Sequence, residues 1–226
     1  MDIGSAEWNR LIIDGAAALG VALQADHVRL FARHAAALLE WNAVTNLTAI
    51  TAPERVALHH FLDSLAAVRL IAPGSEVLDV GSGGGFPGLP LHIVIDRLQT
   101  TLIDASRKKV SFLRHVLREL ALSGIQAQHL RVEEMVRKTA GLKCYDVITS
   151  RAFSAVAPLV HSVWPLLRPE GRLIAFKGDI DATEMNALQA ALAGGELGEP
   201  IALERLGYAL PGLKNERSLL IVSRGK

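Results

Sequence analysis

The segment 77–89, VLDVGSGGGFPGL, constrains this chain more than any other. An apolar run that ends in Gly-x-Gly and opens at once into a second apolar stretch describes a buried strand turning into a helix, with bare backbone where a ligand comes close. Two glycine registers are present. Gly81 and Gly83, with Ser82 between them, suit a cofactor loop at a strand end, whereas Gly83, Gly85 and Gly88 satisfy the Gly-x-Gly-x-x-Gly dinucleotide pattern. Asp79, two residues before Gly81, separates them by charge: an acid at the strand end suits the cationic methionine ammonium of S-adenosylmethionine and is misplaced beside a pyrophosphate. A second acid, Asp104, ends the next apolar run 23 positions after Gly81. That is close to the roughly 20-residue spacing at which a carboxylate meets ribose hydroxyls, and it fits either cofactor.

From residue 76 onward, short apolar runs alternate with helical stretches: 76–80, 100–104, 127–130, 145–150 and 172–176. This alternation predicts an α/β fold with a mostly parallel sheet. The intervening helices include 106–122, closed by Gly124, and 181–192, opened by Asp181 with Glu184 three residues on. Two further strands, 201–208 and 218–223, are joined without room for a crossover helix and should pair antiparallel. The first 72 residues show helical periodicity (Trp8, Leu11, Ile12, Leu19; Val28, Phe31, Ala35, Leu38), and a third helix is expected from a capping box at Thr51 and Glu54, stopped by Pro73 and Gly74. The expectation is a helical N-terminal cap, 1–72, on a Rossmann-like core, 73–226, forming one compact unit.

Composition narrows the partners. With 24 basic against 23 acidic residues there is no overall footprint for a polyanion, so a nucleic acid has to be met by a local patch. The helix carrying Arg107, Lys108, Lys109, Arg114 and Arg118 is one candidate for that patch, and a solvated face is the alternative. A single cysteine, Cys144, excludes an internal disulfide and a CxxC zinc site, and at the start of a strand it is expected to pack in the core. With no apolar run long enough to span a bilayer, the chain reads as cytoplasmic, without a membrane partner. His59 and Asp63, or His60 and Asp63, are spaced to share a helix face, without further ligands, so a hydrogen-bonded contact near the substrate cleft is expected rather than a metal.

After the third strand, Val132 and the pair Glu133-Glu134 are candidates for packing on and bracketing an adenine, with a charged first helical turn as the alternative. Arg151 and Lys177 follow strands four and five and are expected at the carboxyl edge of the sheet as substrate-positioning cations, for an RNA phosphate or guanine O6. Thr149-Ser150-Arg151-Ala152-Phe153 lacks the Asn/Asp-Pro-Pro-aromatic pattern of exocyclic amine methylation, and Cys144 is remote from the site a cytosine-C5 nucleophile needs. An acceptor with an in-plane lone pair, such as guanine N7, needs no general base. From these residues alone, a nicotinamide-dependent oxidoreductase using the second register and a noncatalytic RNA-binding protein stay open.

Several motifs in order resemble the RsmG (GidB) family of bacterial small-subunit ribosomal RNA methyltransferases: Trp41-Asn42 with Asn46-Leu47-Thr48, His60-Phe61-Leu62-Asp63-Ser64, and Leu78 to Gly83 followed by Gly85-Phe86-Pro87-Gly88. The likeness continues through Asp104 with Lys109 and Phe112-Leu113, Arg131 to Glu134, Ser150-Arg151-Ala152 and Phe176-Lys177-Gly178, nearly the whole chain. The resemblance implies a class I methyltransferase fold with a seven-stranded sheet and an antiparallel C-terminal strand. It implies S-adenosylmethionine as cofactor and N7 methylation of one guanosine, 527, in the decoding-region hairpin of 16S RNA. The partner is then 16S RNA or the small subunit, with no obligate protein partner. Carried over residue by residue, the likeness places the cofactor against Gly81, Phe86, Val132, Glu133 and Arg151. The chain departs from the family at His59, where arginine is common, and at Ser218, where a histidine often follows the arginine.

Overall fold

The computed structural model describes residues 1–140, 142–151, 155–178, 180–192, 197–198, 200–213 and 216–225. Ala152 and Phe153, cited above after the fourth strand, lie outside them. Seven strands form one sheet: β1 (Glu76–Val80), β2 (Gln99–Asp104), β3 (Ile125–His129), β4 (Tyr145–Arg151), β5 (Leu167–Lys177), β6 (Ile201–Tyr208) and β7 (Arg217–Arg224). Their spatial order is β3-β2-β1-β4-β5-β7-β6. Only β7 runs against the rest, pairing antiparallel with β5 and with β6. The chain reverses direction across the sheet between β1 and β4, and at such a switch point the strand ends diverge and leave a cleft at their carboxyl ends.

The two-residue period of the strands divides the core. Leu78, Val80 and Ile103 face the helices α7 (Val132–Lys138), α8 (Val156–Val163) and α9 (Ala182–Leu192). Leu102 faces the opposite layer, where α5 (Gly88–Val94) and α6 (Arg107–Glu119) share a continuous core with the N-terminal helices α1 (Ala6–Ala18) and α2 (Ala25–Asn42). Trp8, Phe31 and Phe61 are fully buried there, and the Trp8 indole N–H donates to the Pro53 carbonyl at 3.1 Å. Among the described residues no helix is long and apolar enough to cross a membrane.

Two helix ends differ from expectation and a third agrees with it. The third helix opens at Ala52, whose side chain offers no cap, with Pro53 in the first turn supplying the preset φ; the Thr51–Glu54 capping box does not form. It runs as α3 (Pro53–Val56), a π-helical segment Ala57–Leu62 and α4 (Asp63–Leu65), then a 3-10 turn, Val68–Leu70, before Pro73 and Gly74. Helix α6 ends at Ala121 in the left-handed conformation (φ 52°), not at Gly124, whose own positive φ leads the chain into β3. Asp181 caps α9 as expected, its carboxylate accepting from the Glu184 N–H at 2.8 Å. Cys144 lies just before β4, partly buried against the core of the α7–α9 face.

Candidate cofactor and substrate site

The glycine loop separates two cavities, and Gly81 lines both. The larger, about 300 Å³, has apolar walls from Ile103, Leu130, Val132, Pro158 and Leu159, with Asp104 and Glu133 at its polar end. The smaller, about 160 Å³, is lined by Leu38, Leu47, Thr48, His60, residues 81–84, Phe86, Lys109 and Arg151. One cavity thus offers a slot for a flat ring and acceptors for hydroxyls; the other carries cations.

Most of the loop's N–H groups are spent internally. Gly81 and Ser82 donate to the Ile103 carbonyl at 2.9 and 3.1 Å, Gly83 to Asp104 Oδ2 at 3.0 Å, Gly85 to the Ser82 carbonyl at 2.7 Å and Gly88 to Asp79 Oδ2 at 3.2 Å. A pyrophosphate in the Gly83–Gly85–Gly88 register would find these three N–H groups occupied and two carboxylates behind them. That geometry opposes a dinucleotide.

Asp79 sits under the loop, not on its surface. It is fully buried, its Oδ1 accepts from the Thr149 hydroxyl at 2.9 Å, and it lines neither cavity. From there it holds the turn: Asp79 ties β1 to β4 and to the start of α5. Burial pushes its carboxyl up to about 6, against the hydrogen bonds from Thr149, Ser82 and Gly88 and the Arg151 charge. Close packing on Asp79 also explains Gly88, where a Cβ would come within 2.8 Å of Asp79 Cβ and 2.5 Å of Leu102 Cδ2.

Asp104 lines the larger cavity while Oδ1 accepts from the Ser106 N–H at 2.8 Å, so each carboxylate oxygen retains a lone pair for a ligand hydroxyl. The expected Glu133–Glu134 pair divides. Glu133 faces the cavity, whereas Glu134 turns back to accept from the Arg131 N–H at 3.2 Å and caps α7.

In the smaller cavity Phe86 is sandwiched between two imidazoles, His34 at 4.7 Å and His60 at 4.6 Å between ring centroids, with the Arg151 guanidinium 5.2 Å from the same ring. His34 Nε2 donates to the Gly84 carbonyl at 2.8 Å, fixing the loop to α2. Burial lowers His34 to about 4 and, with the Arg151 charge, His60 to about 3, so both rings are neutral at pH 7.

Arg151, the last residue of β4, reaches the helix expected to carry the His-Asp face. It donates to the His59 carbonyl at 2.8 Å, to Asp63 Oδ2 at 3.4 Å and to His60 Nδ1 at 3.2 Å. His59 contributes its backbone alone to this contact. The π-helical segment presents His60 and Asp63 together on this side. Asp63 also takes Tyr208 and Arg217 from the C-terminal hairpin. Ser218 faces that hairpin instead, accepting from Arg205 at 2.9 Å.

Lys177 stands at the carboxyl end of β5 but lines neither cavity; its ammonium is 3.7 Å from Glu184 of α9. On α6, Lys109 enters the smaller cavity, while Arg114 donates to the Ala127 carbonyl at 3.0 Å and serves β3. Among the described residues no three His, Cys, Asp or Glu side chains converge as metal ligands. Sequence reasoning missed Tyr208 and the Pro158–Leu159 wall; one of only two tyrosines, at the end of a strand, was the one signal for the former.

Known proteins resemble this chain. A family model described as rRNA small subunit methyltransferase G matches residues 27–197. A Geobacter metallireducens protein named ribosomal RNA small subunit methyltransferase G is 42% identical over 218 residues, 96% of this chain and 97% of its own. One of the same name from Chromobacterium violaceum is 39% identical over 206 residues, 91% and 93% of the two chains. Among solved structures, an O-methyltransferase from Bacillus cereus in complex with SAH superposes with a TM-score of 0.60 at 16% identity, covering 85% of this chain and 90% of that one. A ribosomal protein L11 methylase from Lactobacillus delbrueckii subsp. bulgaricus gives 0.56 at 17% identity, covering 74% and 79%. At these identities the structural likeness is one of fold, that of class I methyltransferases.

Proposed function

Because the chain belongs to the rRNA small subunit methyltransferase G family and is a methyltransferase, we propose that it transfers a methyl group from S-adenosylmethionine to N7 of one guanine in the decoding-region hairpin of 16S RNA. The observation that carries this reading is Gly81, the shared wall of an apolar, acid-ended slot and a cation-lined cavity.

The residues present fit the cofactor. Val132 and Leu159 flank a slot for the adenine, and Asp104 and Glu133 accept from ribose hydroxyls. The bare backbone of Gly81 and Gly83 leaves room for the chain toward the smaller cavity, where Phe86 and Arg151 close the far side; with Ser82, they complete the cofactor set. Asp79 belongs to it as a positioning residue, holding the loop through Gly88 and Thr149. When bound, the cofactor supplies an electrophilic methyl on a sulfonium. This chain's part is to align the acceptor. Guanine N7 carries its lone pair in the ring plane and no proton, and the imidazole that lines the cavity, His60, is neutral with both ring nitrogens hydrogen-bonded, which agrees with a reaction that needs no base. Arg151 and Lys109 place the nucleotide; Lys177, at the rim of the sheet, is assigned to the RNA backbone.

The test is methyl transfer from labelled cofactor to small subunits or 16S RNA of a strain lacking the enzyme, with the base identified by cleavage chemistry specific for N7-methylguanine. Label at guanine N7 supports the reading; label elsewhere or none overturns it. Calorimetry tests the cofactor separately: S-adenosylhomocysteine is expected to bind and NAD not to, and Asp79→Ala to weaken that binding.

A further inference from the structure

The hydrogen bonds behind the smaller cavity have a direction, set by a group that can only donate. A guanidinium has no acceptor, so the 3.2 Å contact between Arg151 Nη2 and His60 Nδ1 requires Nδ1 to be the bare nitrogen. The neutral ring then carries its hydrogen on Nε2, and the 2.9 Å contact from Nε2 to Thr48 Oγ1 is a donation to Thr48. The Ile50 backbone N–H donates to the same oxygen at 2.9 Å. Both lone pairs of the Thr48 hydroxyl are thereby taken, and its own hydrogen must go outward as a donor. Among the described residues no acceptor takes it, and Thr48 lines the cavity.

The loop that carries Thr48 is itself held in place. Asn42 Oδ1 at the end of α2 accepts from the Leu47 N–H at 2.7 Å and the Thr48 N–H at 2.9 Å. Beside the hydroxyl stand Arg151 and Lys109, so three of the five polar side chains lining this cavity present donors. The face suits a ligand edge made of acceptors. The edge of guanine that exposes N7 carries O6 beside it, both acceptors, whereas adenine places a donor amino group where guanine has O6.

We propose that Thr48 is a specificity-determining residue: its hydroxyl, oriented by His60 and Arg151, donates to O6 of the target guanine and rejects adenine at that position. The proposal rests on the guanine-N7 reading above and adds the residue that recognises the base. His60 is a positioning residue. A site built around a donor rejects an analogue that lacks the acceptor, because the donor is left unpaired.

A double-mutant cycle tests this, with the full-length protein on small subunits reconstituted from ligated 16S RNA carrying either guanosine or 2-aminopurine, which keeps N7 and lacks O6, at the target. Thr48→Val is expected to lower kcat/KM on the guanosine subunit roughly tenfold, the effect of one hydrogen bond to the base. The 2-aminopurine subunit should cost the unaltered protein the same factor and cost Thr48→Val nothing further. Thr48→Ser, which keeps the hydroxyl, should keep the discrimination. S-adenosylhomocysteine should bind Thr48→Val with unchanged affinity, which also shows that the variant is folded. Equal penalties for 2-aminopurine in both proteins overturn the proposal, and so does a matching loss of S-adenosylhomocysteine affinity, which would assign the hydroxyl to the cofactor carboxylate. The unaltered protein on the guanosine subunit reports on the guanine-N7 reading alone: without N7 methylation there, the reading and the proposal fall together, whereas a failed cycle with methylation intact removes only the role of Thr48.

Discussion

Asp63 and Arg217 are 154 residues apart in sequence, yet the Arg217 guanidinium donates through Nε and Nη2 to both oxygens of the Asp63 carboxylate, which is 0% exposed. The same carboxylate accepts from Arg151 and from the Tyr208 hydroxyl, so one buried charge joins the N-terminal helices, the end of β4 and the C-terminal hairpin. Its presence raises the Arg217 guanidinium against the effect of burial and, along with burial, raises the Tyr208 hydroxyl.

Removing that charge leaves two guanidiniums partly buried without their counter-ion. Asp63→Asn is therefore expected to destabilise the fold by about 3 kcal/mol, the usual consequence of breaking a buried pair from one side. The urea midpoint at pH 7 measures it. The variant should also lose methyl transfer by more than its folded fraction accounts for, since Arg151 is no longer held at the cavity. An unchanged midpoint would show that the network contributes no net stability.

The second prediction concerns pH. His34 is fully buried, and burial lowers its pKa from 6.5 to about 4, opposed by the bond to Gly84. Between those values the unfolded chain binds more protons than the folded one, so the stability His34 contributes is whole above pH 6.5 and is lost as the pH falls toward 4; the interval corresponds to about 3 kcal/mol. His60, lowered to about 3, acts in the same sense. Asp79, raised to about 6, acts in the opposite one, its stabilisation fading as pH rises from 3.8 to 6. The two histidine intervals are the wider, so net stability should fall on acidification. His34→Gln keeps a donor for Gly84 and removes the titration; its urea midpoint should change less between pH 7 and pH 5 than that of the unaltered protein.

Two glycines of one loop should respond differently to alanine. At Gly88 a Cβ collides with Asp79 and Leu102, which predicts a loss of about 1–3 kcal/mol from overpacking and a lower Tm. At Gly83 the φ is 57° and a Cβ meets nothing closer than the Gly81 carbonyl oxygen at 3.9 Å. Gly83→Ala should cost only about 1 kcal/mol of backbone strain while weakening S-adenosylhomocysteine binding, since the residue lines the smaller cavity. Calorimetry beside thermal melts separates the two effects; equal behaviour in both assays would refute the distinction.

Adjacent glutamates offer a parallel contrast. Glu134→Ala removes the cap of α7 and should cost roughly 1 kcal/mol of stability with cofactor affinity nearly intact. Glu133→Ala should leave stability unchanged and weaken S-adenosylhomocysteine binding severalfold. A reversal of the two results would exchange their roles.

Much of this protein is local in origin and was legible in the order of its residues. The strands of the core, the turn at Gly81 to Gly83, the acid that ends β2 and the Asp181 cap all follow from hydrophobic period, glycine and capping chemistry, which act over a few positions along the chain. Charge, too, was readable: Asp79 and Asp104 sit where a pyrophosphate would need donors. What each polar group spends its hydrogen bonds on was not. Asp79 goes under the loop because Thr149, 70 residues away, meets it from β4, and Glu134 caps a helix while its neighbour faces a cavity. Lys177 turns to Glu184, and Thr48 becomes a donor only because Arg151 fixes the hydrogens of His60. Those choices belong to the tertiary structure, since a donor or acceptor has no assigned partner until packing brings distant segments together and burial makes an unpaired group costly.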